Sequence, residues 1–248
     1  RVEGHRNECQ RQQQAQNRDE QPAQAQRGIQ PPRPRCVELR VLDSTALYDA
    51  VATQDTVTLI RSAIRGLLLE ADDELEAQLR SVLKRDDEYR SAGKPVCDWD
   101  EPAARTALVD ALARDGYAAL LALDERTLGG PLRQAAELLA TVLGQDLEQR
   151  DDGVFRIARR VAKDRVISTV DPDARHGHKT AARGFDGYKG HIAIDPDSEI
   201  ITATEVTAGN VADGDVAEAL LADVLDTAPA ESQAVSPPLV EVYGDGSY

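Results

Sequence analysis

The apolar residues of this chain change their spacing twice, and that switch of period restricts the fold more than any other feature. Val37, Leu39 and Val41 alternate with Glu38 and Arg40, the pattern of a half-buried strand that begins at Cys36 and reaches Asp43. From residue 46 to about 165 the repeat becomes helical. Val57, Ile60, Ile64, Leu67 and Leu68 form one stripe, and Leu75, Leu79, Val82 and Leu83 form a second that ends at Lys84-Arg85, where cations suit a helix C-terminus. Pro102 stands where a first turn tolerates it, and the run from Leu132 to Leu143 stops at Gly144, a C-terminal cap. After about residue 165 the chain turns β-rich: Tyr188–Asp195 and Glu199–Thr207 read as an antiparallel hairpin closed by Pro196-Asp197-Ser198. Asp213-Gly214-Asp215 reads as the cap of a short helix, and Leu239–Tyr243 as a last strand running into Gly244-Asp245-Gly246. The order predicts an α/β sheet interrupted by an all-helical insertion.

Four segments follow: a leader over 1–35, a first strand over 36–45, the helical insertion over 46–165 and the rest of the sheet domain over 166–248. The leader carries nine Gln and seven Arg with only Val2, Cys9 and Ile29 as large apolar residues, too few to offset the entropy of ordering it, so it is expected to be disordered. A Thr227–Pro238 stretch rich in Pro, Ser and Ala reads as a linker. Position 1 is Arg and no Met is present among the 248 residues, so a chain truncated at its start is expected.

A net charge of −15 excludes a protein coated in positive charge. The balance inverts locally, however. Between Arg156 and His191 nine Lys and Arg face four Asp, a segment of +5 that leaves −20 elsewhere. Such a patch can pair with phosphates or form ordinary solvated ion pairs. No apolar run approaches a membrane span and no secretion signal is present, so a cytoplasmic protein is expected. Cys9, Cys36 and Cys97 are too few and too far apart for a disulfide framework or a structural zinc site. His176, His178 and His191 could bind zinc, but their spacing is not that of an established site and the surrounding cations oppose a dication.

Two carboxylates stand at or near strand ends, Asp43 and Asp245, about 200 residues apart. Taken singly, Asp43-Ser44-Thr45 is as well read as a helix cap and Gly244-Asp245-Gly246 as a turn. Taken together, carboxylates on adjacent strands can bridge a pair of divalent cations that clamp the attacking and leaving oxygens of a phosphoryl displacement.

The run DPDARHGHKTAARGFDGYKGHIAIDPDSEIITATEVTAGNVADGD over Asp171–Asp215, followed by VYGDGSY, resembles bacterial insertion-sequence transposases of the DDE type, whose catalytic domain is ribonuclease-H-like. The resemblance covers roughly residues 36–248. It implies that Asp43, in Val41-Leu42-Asp43-Ser44-Thr45, and Asp245, in Tyr243-Gly244-Asp245-Gly246-Ser247-Tyr248, are catalytic and ligate Mg²⁺ or Mn²⁺. A third carboxylate, a Glu on a later helix, is expected beyond Tyr248, so truncation at the C-terminal end is expected too. The resemblance also implies DNA partners, both transposon ends and target, a homodimer in a synaptic complex, and association with the bacterial nucleoid. Arg175, His176, His178, Lys179, Arg183 and Lys189 are the expected DNA contacts. The competing expectation is a non-catalytic DNA-binding or subunit-interacting remnant.

Overall fold

A computed structural model describes residues 37–48, 53–180, 183–225 and 239–244. The leader, the Thr227–Pro238 linker and Asp245 lie outside the described residues. The chain divides into two compact units, one formed by residues 1–45, 190–207 and 212–248 and the other by 46–189 and 208–211. Together they give a mixed α/β architecture with six α-helices and two sheets among the described residues. No helix among them is long and apolar enough to cross a membrane.

The second unit holds the four long helices. These are α1 (Thr56–Glu70), α2 (Asp73–Val82), α3 (Pro102–Ala122) and α4 (Gly130–Asp146). Asp55 caps α1 by accepting from the Thr58 amide at 3.0 Å, and Asp72 caps α2 by accepting from the Leu75 amide at 2.9 Å. Leu59, Ile60, Ile64 and Leu67 of α1 are fully buried against Leu79, Leu112, Leu139, Val142 and Leu143, so the apolar stripes read from spacing do face one core. Gly144 does not end its helix: α4 runs two residues further, to Asp146. Its continuation is anchored by the Asp146 carboxylate, which accepts from Arg165 Nε at 2.7 Å and Thr56 Oγ1 at 2.9 Å. Nor is the block helical throughout, because β2 (Leu147–Gln149) and β3 (Phe155–Ile157) form a small antiparallel hairpin after α4.

The first unit holds most of the main sheet. β1 spans Val37–Tyr48, β5 Arg183–Asp195, β6 Ile200–Ala208 and β7 Leu239–Tyr243, with β4 (Arg175–Thr180) pairing the first part of β5 inside the second unit. β6 pairs β5, β5 pairs β1 and β1 pairs β7. Four residues join β5 to β6, too few for a parallel crossover, so that pair is an antiparallel hairpin. Asp195 shapes its turn by accepting from the Asp197 amide at 2.9 Å and the Ser198 hydroxyl at 2.7 Å. β7 instead lies parallel to β1, in register from Val37↔Leu239 to Val41↔Tyr243, which makes the sheet mixed. A 3₁₀ turn (Asp213–Val216) followed by α5 (Ala217–Leu220) and α6 (Ala222–Leu225) completes the unit.

β1 packs by the face opposite to the one its alternation suggests. Leu39 and Val41 are only half-buried, whereas Leu42 is buried with Ala193, Val216, Leu220, Leu221 and Val224. The residues in phase with Leu42 are polar but satisfied. Arg40 donates to Asp223 of α6 at 2.7 Å, and Ser44 donates to Asp213 at 2.8 Å. A polar side chain costs little at a buried position once its hydrogen bond is made, and that is why hydropathy alone misassigns the face.

Candidate metal and nucleic-acid site

Asp43 does not cap a helix. β1 continues past it to Tyr48, and the next helix starts at Thr56 under its own cap, Asp55. Because Leu42 and Ser44 on either side are buried and strand residues alternate between faces, the Asp43 side chain projects from the opposite face and is exposed. One of its oxygens, Oδ1, accepts from the Ser44 amide at 2.8 Å. The other has no partner among the described residues, and no Lys or Arg there pairs with it. A carboxylate that is oriented but not neutralised is the type of hard oxygen donor that Mg²⁺ and Mn²⁺ take. In this respect the residue fits a divalent ion.

The strand carrying Tyr243 is the immediate parallel neighbour of the strand carrying Asp43. The last paired residues are Val41 and Tyr243, and Asp43 and Asp245 each lie two positions beyond them in sequence. Asp245 itself falls outside the described residues, and among the described residues no group of three His, Cys, Asp or Glu is placed to hold a metal. That includes the histidines considered for zinc. His191 is buried, with its ring Nε2 2.9 Å from Thr207 Oγ1, and acts as a bonded core residue.

The expected DNA-contacting residues lie on or beside the β4–β5 hairpin, and they separate into two groups. Arg175 is committed to the fold: its guanidinium donates to Asp164 Oδ1 at 2.8 Å and to the carbonyls of Pro172 and Ala174. The hydrogen bonds from Arg175 and from Asn210, at 2.9 Å, hold the Asp164 carboxyl below the usual carboxylate range. Lys189 is half-buried and donates to the Val211 carbonyl at 2.8 Å. Lys189 thus ties the 208–211 loop to β5, and Arg175 reaches the same loop through Asp164, which also accepts from Asn210. His176, His178, Lys179 and Arg183 are exposed near the hairpin's turn end. His176 Nδ1 lies 2.7 Å from Asp186 Oδ1, and its ring meets His178 edge-on at 4.8 Å. Burial pushes the Asp186 carboxyl up, but hydrogen bonds from Thr53 and His176 outweigh it and leave the group below its usual range.

Asp213 was not among the expected site residues. Its place in an Asp-Gly-Asp sequence suggests a helix cap, yet the cap position of the 3₁₀ turn is Ala212, and the Asp213 side chain turns inward to Ser44. Only the spatial neighbour on β1, 169 residues away, identifies it, and that is information local sequence does not carry.

No curated protein and no solved structure matches the chain. Residues 144–248 do match the family described as transposase DDE domain. The match begins within α4 and takes in the β4–β5 hairpin, the Asp213 turn, β7 and Asp245. That match makes residues 144–248 similar to a transposase DDE domain.

Proposed function

We propose that the protein is a DNA transposase of the ribonuclease-H-like kind, in which Asp43 and Asp245 together hold divalent metal, Mg²⁺ or Mn²⁺. The observation that carries this reading is the parallel pairing of β1 with β7, because it puts the strands leading to both carboxylates side by side. Neighbouring strands lie roughly 4.8 Å apart, a spacing that two carboxylates sharing an ion can span. When bound, a pair of such ions supplies charge stabilisation to the attacking and leaving oxygens of an in-line phosphoryl displacement.

The chain's own residues then have distinct tasks. Asp43 and Asp245 supply the oxygen ligands, with no protein nucleophile, so that water serves for strand cleavage and a freed 3′-OH for joining. Lys179, Arg183, His176 and His178 contact the phosphate backbone from the exposed end of the hairpin. Charge there positions DNA without reading its sequence. Arg175 and Lys189 support that surface from beneath.

Incubation of the chain with supercoiled plasmid and Mn²⁺ tests the proposal. Metal-dependent nicking is expected to be weak at most, because the resemblance implies a third carboxylate that these residues do not supply, and Asp43→Ala and Asp245→Ala should abolish whatever nicking is seen. Lys179→Ala with Arg183→Ala should weaken DNA binding by about tenfold at low salt and flatten its salt dependence, since each lost phosphate contact removes counterion release. DNA binding without nicking in either metal would instead favour the non-catalytic reading.

A further inference from the structure

We propose that Asp213 is a positioning residue for Asp43, acting through Ser44. The inference rests on the metal-binding reading of Asp43 given above.

Two of the hydrogen bonds of Ser44 run in opposite directions. Its backbone amide donates to Asp43 Oδ1 at 2.8 Å, and its hydroxyl donates to Asp213 Oδ2 at 2.8 Å. One residue thus joins an exposed carboxylate to a buried one. Asp213 is 8 % exposed and Ser44 7 %, and a carboxylate taken out of water is retained only where hydrogen bonds compensate its desolvation. The bond to Ser44 is therefore made in a water-poor setting where it is strong and directional.

Its effect on Asp43 follows from strand geometry. Side chains alternate across the sheet, so fixing residues 42 and 44 on the packed face fixes the direction in which residue 43 leaves the other. Leu42 is fixed by burial against Val216 and Leu220, and Ser44 by its bond to Asp213. Arg40, one step earlier on the same face, is tied to Asp223. The face is secured along its length to the 213–225 segment, and Asp213 secures the step next to the ligand. Without it, the amide that orients Asp43 Oδ1 belongs to a residue that has lost its bond to the buried carboxylate.

Mn²⁺ affinity of the full chain, read from the electron paramagnetic resonance of free Mn²⁺, tests the inference under conditions where each variant is shown by circular dichroism to be folded. Ser44→Ala and Asp213→Ala should each weaken Mn²⁺ binding by about tenfold, the lower end of what loss of a group supporting a metal ligand does. The double variant should be no weaker than either single one, because both remove the same link. Asp213→Asn keeps an oxygen acceptor for the Ser44 hydroxyl and should lie closer to the parent than Asp213→Ala. Ser44→Ala removes a single oxygen atom and carries the test if Asp213→Ala does not fold. Unchanged affinity in Ser44→Ala, or independent and additive losses in the pair, would overturn the inference. Asp43→Ala separates the two levels: if it leaves Mn²⁺ binding intact, the metal-binding reading itself fails, whereas a loss there with none in Ser44→Ala overturns only the role of Asp213.

Discussion

Asp115→Ala should lower the stability of the helical unit by about 3–5 kcal/mol, read as a shift of the urea midpoint at unchanged slope. Asp115 is 1 % exposed and lies on α3, yet its carboxylate serves the end of α2. It accepts from the Lys84 amide at 2.7 Å, the Arg85 amide at 3.3 Å and the Tyr89 hydroxyl at 2.8 Å. Removing it leaves three donors without an acceptor in a space too confined for ready hydration. Tyr89 is similarly committed. It is 1 % exposed and holds a φ of 51°, a left-handed conformation that a bulky residue adopts only where its surroundings enforce it. Burial, and then the neighbouring Asp115, push its hydroxyl far above the usual tyrosine range. Tyr89→Phe should cost about 1–2 kcal/mol, less than Asp115→Ala because it removes one donor of three. The two effects should not add, since the residues share a bond.

Gly177→Ala is the second large effect, expected at about 3 kcal/mol or as detachment of the 208–211 loop from the hairpin. A Cβ at position 177 would stand 2.1 Å from the Gly209 carbonyl oxygen and 2.6 Å from its carbon, with the Phe185 ring at 2.8 Å. A flexible side chain can step aside, but these are mostly backbone atoms. The loop is held where it is by the Gly209 amide donating to the Gly187 carbonyl at 3.0 Å. A Cβ at Gly209 would in turn meet the Arg175 carbonyl oxygen at 2.8 Å, so the two glycines are needed for one close crossing. Gly144→Ala provides the control, for that glycine lies inside α4 with nothing within 4 Å of an added Cβ. It should stabilise the protein by roughly 0.5–1 kcal/mol, the helix propensity difference. Thermal or urea unfolding of both variants reads the opposite signs.

These results bear on what the amino-acid pattern could reveal. The helices were legible because burial there follows spacing: Ile60, Ile64 and Leu67 repeat at helical period and face one core. The β5–β6 hairpin was legible because its turn is local chemistry, with Asp195 and Ser198 bonding within a few residues. The buried face of β1 was not, because Arg40 and Ser44 are accepted there through partners 183 and 169 residues away. The same holds at the site. Asp43 could be singled out from its strand, but the inward turn of Asp213 and the withdrawal of Arg175 into the fold depend on tertiary hydrogen bonds. Charge counting singles out Arg175, but not its ion pair with Asp164, which also accepts from Asn210.

The central claim is that Asp43 and Asp245 serve one metal site, and a double-variant cycle of Mn²⁺ binding tests it most directly. Affinity is measured for the parent chain, for Asp43→Ala, for Asp245→Ala and for the two combined. If both carboxylates hold the same ion, each single change should weaken binding by about tenfold or more, and the combined variant should be little worse than either, the two losses being strongly coupled. Losses that simply add, or an Asp245→Ala variant that binds Mn²⁺ as tightly as the parent, would contradict the account.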